Sequence, residues 1–87
     1  LNRAVAVSRA YGPAEGLALL EPLRRDPRLK AYHLLPSVRA DLLVRLGRDD
    51  EAAAEFEAAA ALAGNTHDRR ALLELAAAAQ ERTARLG

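Results

Sequence analysis

Cysteine, methionine and tryptophan are all absent from this chain, and aromatic residues are only 3% of it. Without cysteine there is no disulfide framework, no thiolate nucleophile and no thiolate metal site. With only Tyr11, Tyr32 and Phe56 as aromatics, there is no interleaved set of rings on which bases could stack. No run of 18 apolar residues exists, because Glu55 and Glu57 interrupt the longest candidate, and no signal peptide opens the chain. β-Branched residues are few and no stretch alternates with period two, which argues against strands. Lysine occurs once, at Lys30, against twelve arginines; with the abundant alanine this reads as the codon bias of a GC-rich genome.

What is present is alanine and leucine. Hydrophobic residues make up 51% of the 87, so Ala and Leu must fill the core, and both are strong helix formers. The composition predicts an all-α domain, small but able to fold alone. The chain opens on Leu1 rather than Met, which reads as a fragment or a processed chain. Net charge is +1 but polarised: residues 1–48 carry +5 and residues 49–87 carry −4. Such polarity is ordinary on solvated helix faces, and it is also compatible with docking to a partner or to a second copy.

Punctuation divides the chain into five helices. The first runs from Leu1 to about Ala10 and is stopped by Gly12-Pro13. Pro13 suits the first position of the second helix, where its missing N–H costs nothing. Pro22 predicts a kink or tightening near the end of that helix, before Asp26-Pro27. The third helix begins near His33 or Leu34, carries Leu35, Val38, Leu42, Leu43 and Leu46, and stops at Gly47. Asp49 or Asp50 is the expected cap of the fourth, with Glu51 favoured by the helix dipole. Ala52, Phe56, Ala59 and Ala63 form its buried stripe, and Gly64 its stop. Asn65 or Thr66 caps the fifth. Its expected inner face is Leu72, Leu75, Ala76 and Ala79, with Arg69, Arg70, Glu74, Glu81 and Arg82 in solvent.

A shift of 36 residues lays the first half on the second: Ala4 on Ala40, Val7 on Leu43, Gly16 on Ala52, Leu20 on Phe56, Leu23 on Ala59. Size and polarity agree at each pair, so the organisation is read as two helical hairpins, 1–26 and 33–63, followed by a capping helix, 66–86, in one domain, 1–87. In this it resembles the tetratricopeptide repeat, whose small crossing residues, turn glycine and second-helix aromatic match Ala40, Gly47, Ala52, Phe56, Ala59 and Leu62. The resemblance implies antiparallel hairpins wound into an α-α superhelix with a solvating last helix. It also implies a concave groove lined by the first helix of each pair. Carried over position by position, that groove is Val5, Ser8, Arg9, Leu34, Ser37, Asp41, Val44 and Arg45. Val5 stands where the family's carboxylate clamp has an amide, so recognition of a chaperone tail is not expected.

The phrases "NRAVAV", "YHLLPSVRADLLVRLGR" followed by "EA", and "AGNTHDRR" carry a narrower resemblance, covering residues 1 to about 80. They are similar to the C-terminal helical extension of extracytoplasmic-function sigma factors of high-GC bacteria. That likeness implies a cytoplasmic, regulatory, protein-binding role in transcription initiation. The implied partners are other regions of the same sigma factor, core RNA polymerase, or a regulator. DNA would be contacted by the full-length protein rather than by this domain. The other reading is a stand-alone helical scaffold or oligomerisation module, and homodimerisation stays open. The residues give no catalytic constellation: His33 and Ser37 share a helix face without an acid to orient the ring. His33 and His67 lack metal-ligand spacing, and no phosphate-binding glycine loop follows a strand, so no enzyme activity, metal or cofactor is expected. The basic run Arg24, Arg25, Arg28 and Lys30 is the one local feature that bears on nucleic acid.

Overall fold

A computed structural model describes residues 1–86, with the side chain of Leu86 left aside; Gly87, the last residue of the expected domain, lies outside the described residues. The chain forms α1 (Asn2–Tyr11), α2 (Pro13–Arg24), a 3-10 turn (Pro27–Leu29), α3 (Leu34–Arg45), α4 (Asp49–Leu62) and α5 (Thr66–Leu86). Among the described residues there is no strand, and the all-helical class is as expected. The shortest dimension is 19 Å, the thickness of two helices side by side. Extensive helix contacts run between chain neighbours, from α1·α2 through to α4·α5.

Local chemistry sets the boundaries. Gly12 turns at φ +104°, its N–H donating to the Ser8 carbonyl at 3.0 Å, and Pro13 opens α2. An L side chain at that φ would be strained. Pro22 does not stop α2 at once: the helix runs on to Arg24 and tightens, Arg25 N–H reaching the Pro22 carbonyl and Asp26 N–H the Leu23 carbonyl. The 3-10 turn that follows was not anticipated. It is capped by Asp26, which accepts from Arg28 N–H at 2.9 Å. At the end of α3, Gly47 at φ +75° makes a Schellman turn: Arg48 N–H bonds the Leu43 carbonyl at 2.9 Å and Gly47 N–H the Val44 carbonyl at 3.0 Å.

Several expectations need correction. Neither Asp49 nor Asp50 caps α4; Arg48 occupies the cap position, with no side-chain bond to the helix's backbone N–H groups. Asp49 lies within the first turn and gives its carboxylate to Arg82 Nε at 2.9 Å. Arg82 is therefore an interhelix tie from α5 to α4 rather than a free surface cation. Helix α4 stops because Ala63 turns extended (ψ 137°), with Gly64 only following it. Asn65 does cap α5, accepting from Asp68 N–H at 2.8 Å while its amide donates to the Asp68 carboxylate. On α5, Ala76 and Ala79 are buried and Leu72 packs on the core, but Leu75 is 49% exposed. The buried stripe Leu72, Ala76, Ala79 is narrow because α5 packs chiefly on α4, and Leu75 lies beside it.

The core is built from Leu20, Leu42 and Leu43, with Ala40, Ala52, Ala59 and Phe56 around them. Alanine at these crossings lets helix axes approach closely. One cation lies among them. Arg39 of α3 is 7% exposed and is held by Glu21 of α2 and Glu55 of α4, each at 3.2 Å. No buried side-chain polar atom lacks a partner among the described residues. Partial burial raises the Glu21 carboxyl, but hydrogen bonds from Arg24 and Arg39 outweigh it and hold Glu21 below its ordinary value of 4.5. No helix among the described residues is long and apolar enough to cross a membrane.

Candidate protein-binding groove

Helices α1 and α3 together border a cleft of about 310 Å³, lined by Val5, Ser8 and Arg9 from one and Ser37, Val38, Asp41, Leu42 and Arg45 from the other. Six of the eight residues that the tetratricopeptide resemblance implies for a groove meet here: Val5, Ser8, Arg9, Ser37, Asp41 and Arg45. Spacing explains it. Residues 5, 8 and 9 share one face of α1, and 37, 41 and 45 stand one turn apart along α3.

Leu34 and Val44 fall elsewhere. Leu34, 41% exposed, lines an adjoining cleft of about 270 Å³ with His33, Ser37, Asp68, Ala71 and Leu72. Ser37 borders both clefts, the second of which lies between α3 and α5. Val44 packs against the core and does not line the α1–α3 cleft. Val38 and Leu42 were assigned to the core by their apolar character, and they do pack there, yet both also line the cleft. Apolar periodicity finds the buried stripe; it does not show which of its edges a neighbouring helix leaves open.

The cleft has an apolar floor and a charged rim. Ser8 is buried and its hydroxyl donates to the Val5 carbonyl at 2.7 Å, so it contributes shape rather than a free donor. Asp41 and Arg45 pair at 3.1 Å along α3, both about half exposed, an arrangement worth only a few tenths of a kcal/mol. Arg9 is exposed and has no ion-pair partner among the described residues. The groove therefore offers hydrophobic contact over the half-buried Val5 and Val38, with the buried Leu42 beneath them, and one unpaired guanidinium at its edge.

The other sequence candidates resolve in geometry. Ser37 Oγ donates to the backbone carbonyl of His33 at 3.0 Å, not to its ring, and that ring stands edge-on to Tyr32 at 6.3 Å. The pair is a helix-start hydrogen bond rather than a nucleophile beside a base. Within the basic run, Arg24 is tied to Glu21 at 3.2 Å and Arg28 to Asp26 at 2.8 Å. Only Arg25 and Lys30 of that run lack an ion-pair partner among the described residues. Among the described residues no group of three acidic or histidine side chains is placed to hold a metal ion.

No protein-family model matches the chain, and no solved structure matches it. Among curated proteins, it is 47% identical over 68 residues to an uncharacterized protein of Rhizobium meliloti (strain 1021). The matched stretch is 78% of this chain and 16% of that protein, so the chain spans a small part of its relative's length.

Proposed function

We propose that this chain is the regulatory, protein-binding C-terminal part of an extracytoplasmic-function sigma factor, working in the cytoplasm and folded as a tetratricopeptide-like superhelix. The observation that carries the binding role is the cleft between α1 and α3, where six residues named from repeat register line one hollow. The repeat reading is supported by matched burial: Ala4 and Ala40, Gly16 and Ala52, and Leu20 and Phe56 are all buried. The link to sigma factors rests on the sequence phrases quoted above.

In this reading the module does no chemistry and holds no cofactor. Its groove binds a helix or peptide from other regions of the same factor, from core polymerase, or from a regulator. Contacts made in one arrangement of the upstream regions and not in another shift the balance between promoter-competent and inactive states. DNA is contacted by those upstream regions.

The test is transcription in vitro by core polymerase with the full-length factor, compared with the same factor ending just before Leu1, both first shown to be folded. Lost activity makes the module part of the active holoenzyme; raised activity makes it an inhibitory lid. Either outcome is then traced to the groove with Arg9→Glu and Arg45→Glu. Unchanged activity refutes direct regulation and leaves the scaffold.

A further inference from the structure

The outer side of the α1–α2 pair carries a hollow of about 540 Å³, lined by Arg3, Val7, Tyr11, Glu15, Ala18 and Leu19. It lies apart from the α1–α3 groove and shares no lining residue with it. Tyr11 there is 77% exposed. The 36-residue shift places Arg3 on Arg39 and Val7 on Leu43. At the second member of each pair the surface is covered: Leu43 is fully buried, and Arg39 nearly so. Helix α2 packs against α3 there, and its Glu21 grips the Arg39 guanidinium from outside the α3–α4 pair. Arg3 is exposed with no ion-pair partner among the described residues, and Val7 is half-buried. The residue chemistry is the same at both sites. What differs is that, among the described residues, no helix lies over the outer side of α1.

We propose that this outer face is a docking surface for an α2-like helix from elsewhere in the same polypeptide, leucine-rich along one side, whose carboxylate closes on Arg3. The inference rests on the repeat reading above. Charge complementarity fixes the partner's chemistry. Arg39 has two carboxylates, Glu21 from the covering helix and Glu55 from its own pair. The shift puts Leu19 where Glu55 stands, and Glu15, the acid that lines the hollow, forms no ion pair with Arg3, so Arg3 is left without a carboxylate among the described residues. The incoming helix must therefore bring the anion, as Glu21 does immediately after the buried Leu20. The Rhizobium meliloti relative, of which this chain spans 16%, has ample polypeptide to supply such a helix.

The experiment adds a copy of residues 1–36 ahead of Leu1, so that the added α2 falls in register over the original α1. The expected result is a single unfolding transition, with the thermal midpoint raised by about 5–10 °C. Amide exchange in the original α1 should slow at least about tenfold. Glu21→Gln in the added copy and Arg3→Gln in the original should each remove part of the gain, and the two together no more than either alone. A raised midpoint with strictly additive losses overturns the acid-bearing partner while leaving the repeat reading standing. Two separate transitions, with α1 exchange unchanged, overturn the repeat reading along with the docking. Sedimentation of the unextended chain provides a further arm: a dimer dissolved by Arg3→Glu makes a second copy the occupant and overturns the proposal. If the extended chain does not fold, a synthetic peptide of residues 13–26 is added to the unextended chain. It must then shift the Val7, Tyr11 and Leu19 amide resonances more than its Glu21→Gln counterpart does. Equal shifts, or none, overturn the proposal.

Discussion

Gly16 should not accept the one methyl group that helix propensity favours. In an isolated helix, Gly→Ala at an interior position stabilises by about 1 kcal/mol. Here a Cβ at Gly16 would sit 2.6 Å from Ser8 Cβ and 2.9 Å from the Ala4 carbonyl oxygen, where α1 and α2 cross. Ordinary contact begins near 3.4 Å, so the helices would have to part by about 0.8 Å at that point. Ser8 Cα, at 3.2 Å, and the Ala4 oxygen are backbone, and a Cβ does not move with the rotamer, so no side-chain rotation relieves the contact. Overpacking of this kind costs about 1–3 kcal/mol. Set against the propensity gain, the expected net effect of Gly16→Ala is a loss centred on about 1 kcal/mol and reaching about 2, or a thermal midpoint lowered by about 5 °C and at most about 15 °C in a domain of this size. Circular dichroism on heating and urea titration both read it. Ser8→Gly in the same chain should restore only part of the loss, because the Ala4 carbonyl remains in the way. A Gly16→Ala chain as stable as the parent, or more so, would refute the close-crossing argument. The displaced helix carries Val5, Ser8 and Arg9, so the same substitution should also disturb the α1–α3 cleft.

That crossing shows what the sequence could and could not convey. Gly16 aligns with Ala52 under the 36-residue shift, which marks both as small residues at a contact. Only coordinates reveal that one crossing is a methyl group tighter than the other. Helix existence was legible because Gly12-Pro13, Gly47 and Asn65 each act locally, through φ, a missing N–H or a cap. The role of Asp49 was not, because its partner Arg82 lies 33 residues away and a carboxylate spent there is unavailable as a cap. Leu75 was misplaced for a related reason: period alone gives a stripe's direction, and its width depends on how many helices lie against it. Arg39 did leave a signal that went unread. It sits four residues after Leu35 and four before Leu43, within the apolar stripe, and a cation in that register must find carboxylates on neighbouring helices. The groove followed from the resemblance to tetratricopeptide repeats, carried position by position onto α1 and α3, and its floor residues Val38 and Leu42 were hidden because they also serve the core.

Three further outcomes test the packing and the ion network. Gly47→Ala forces a methyl-bearing residue to φ +75° in the α3–α4 turn and should cost about 1–2 kcal/mol in chemical denaturation, with Gly64→Ala, outside any positive-φ turn, as the near-neutral control. Arg39→Ala leaves Glu21 and Glu55 facing a void and should cost about 2–4 kcal/mol, whereas Arg39→Met, which refills the volume, should cost distinctly less. An Arg39→Met chain as unstable as Arg39→Ala would move the weight from packing to charge pairing. The third concerns acid. Burial pushes the Glu21 carboxyl up, yet the bonds from Arg24 and Arg39 prevail and its folded-state value lies below 4.5, its ordinary value. A depressed folded value means the unfolded chain takes up the proton first, so the stabilisation is fully present above 4.5 and is lost as pH falls through the lower folded value. Asp26, bonded by Arg28, and Glu51, bonded by Arg48, are shifted the same way, but both pairs are solvent-exposed and local in sequence. Glu21 alone of the three ties two helices together through Arg39, so its protonation should loosen α2 from α3 as well as discharge a pair. Thermal midpoints should therefore decline below pH 4.5, and Glu21→Gln should lower the neutral-pH midpoint and flatten that decline. A Glu21→Gln chain that keeps the full acid slope would assign the loss to the exposed pairs and remove Glu21 as the link between the two helices.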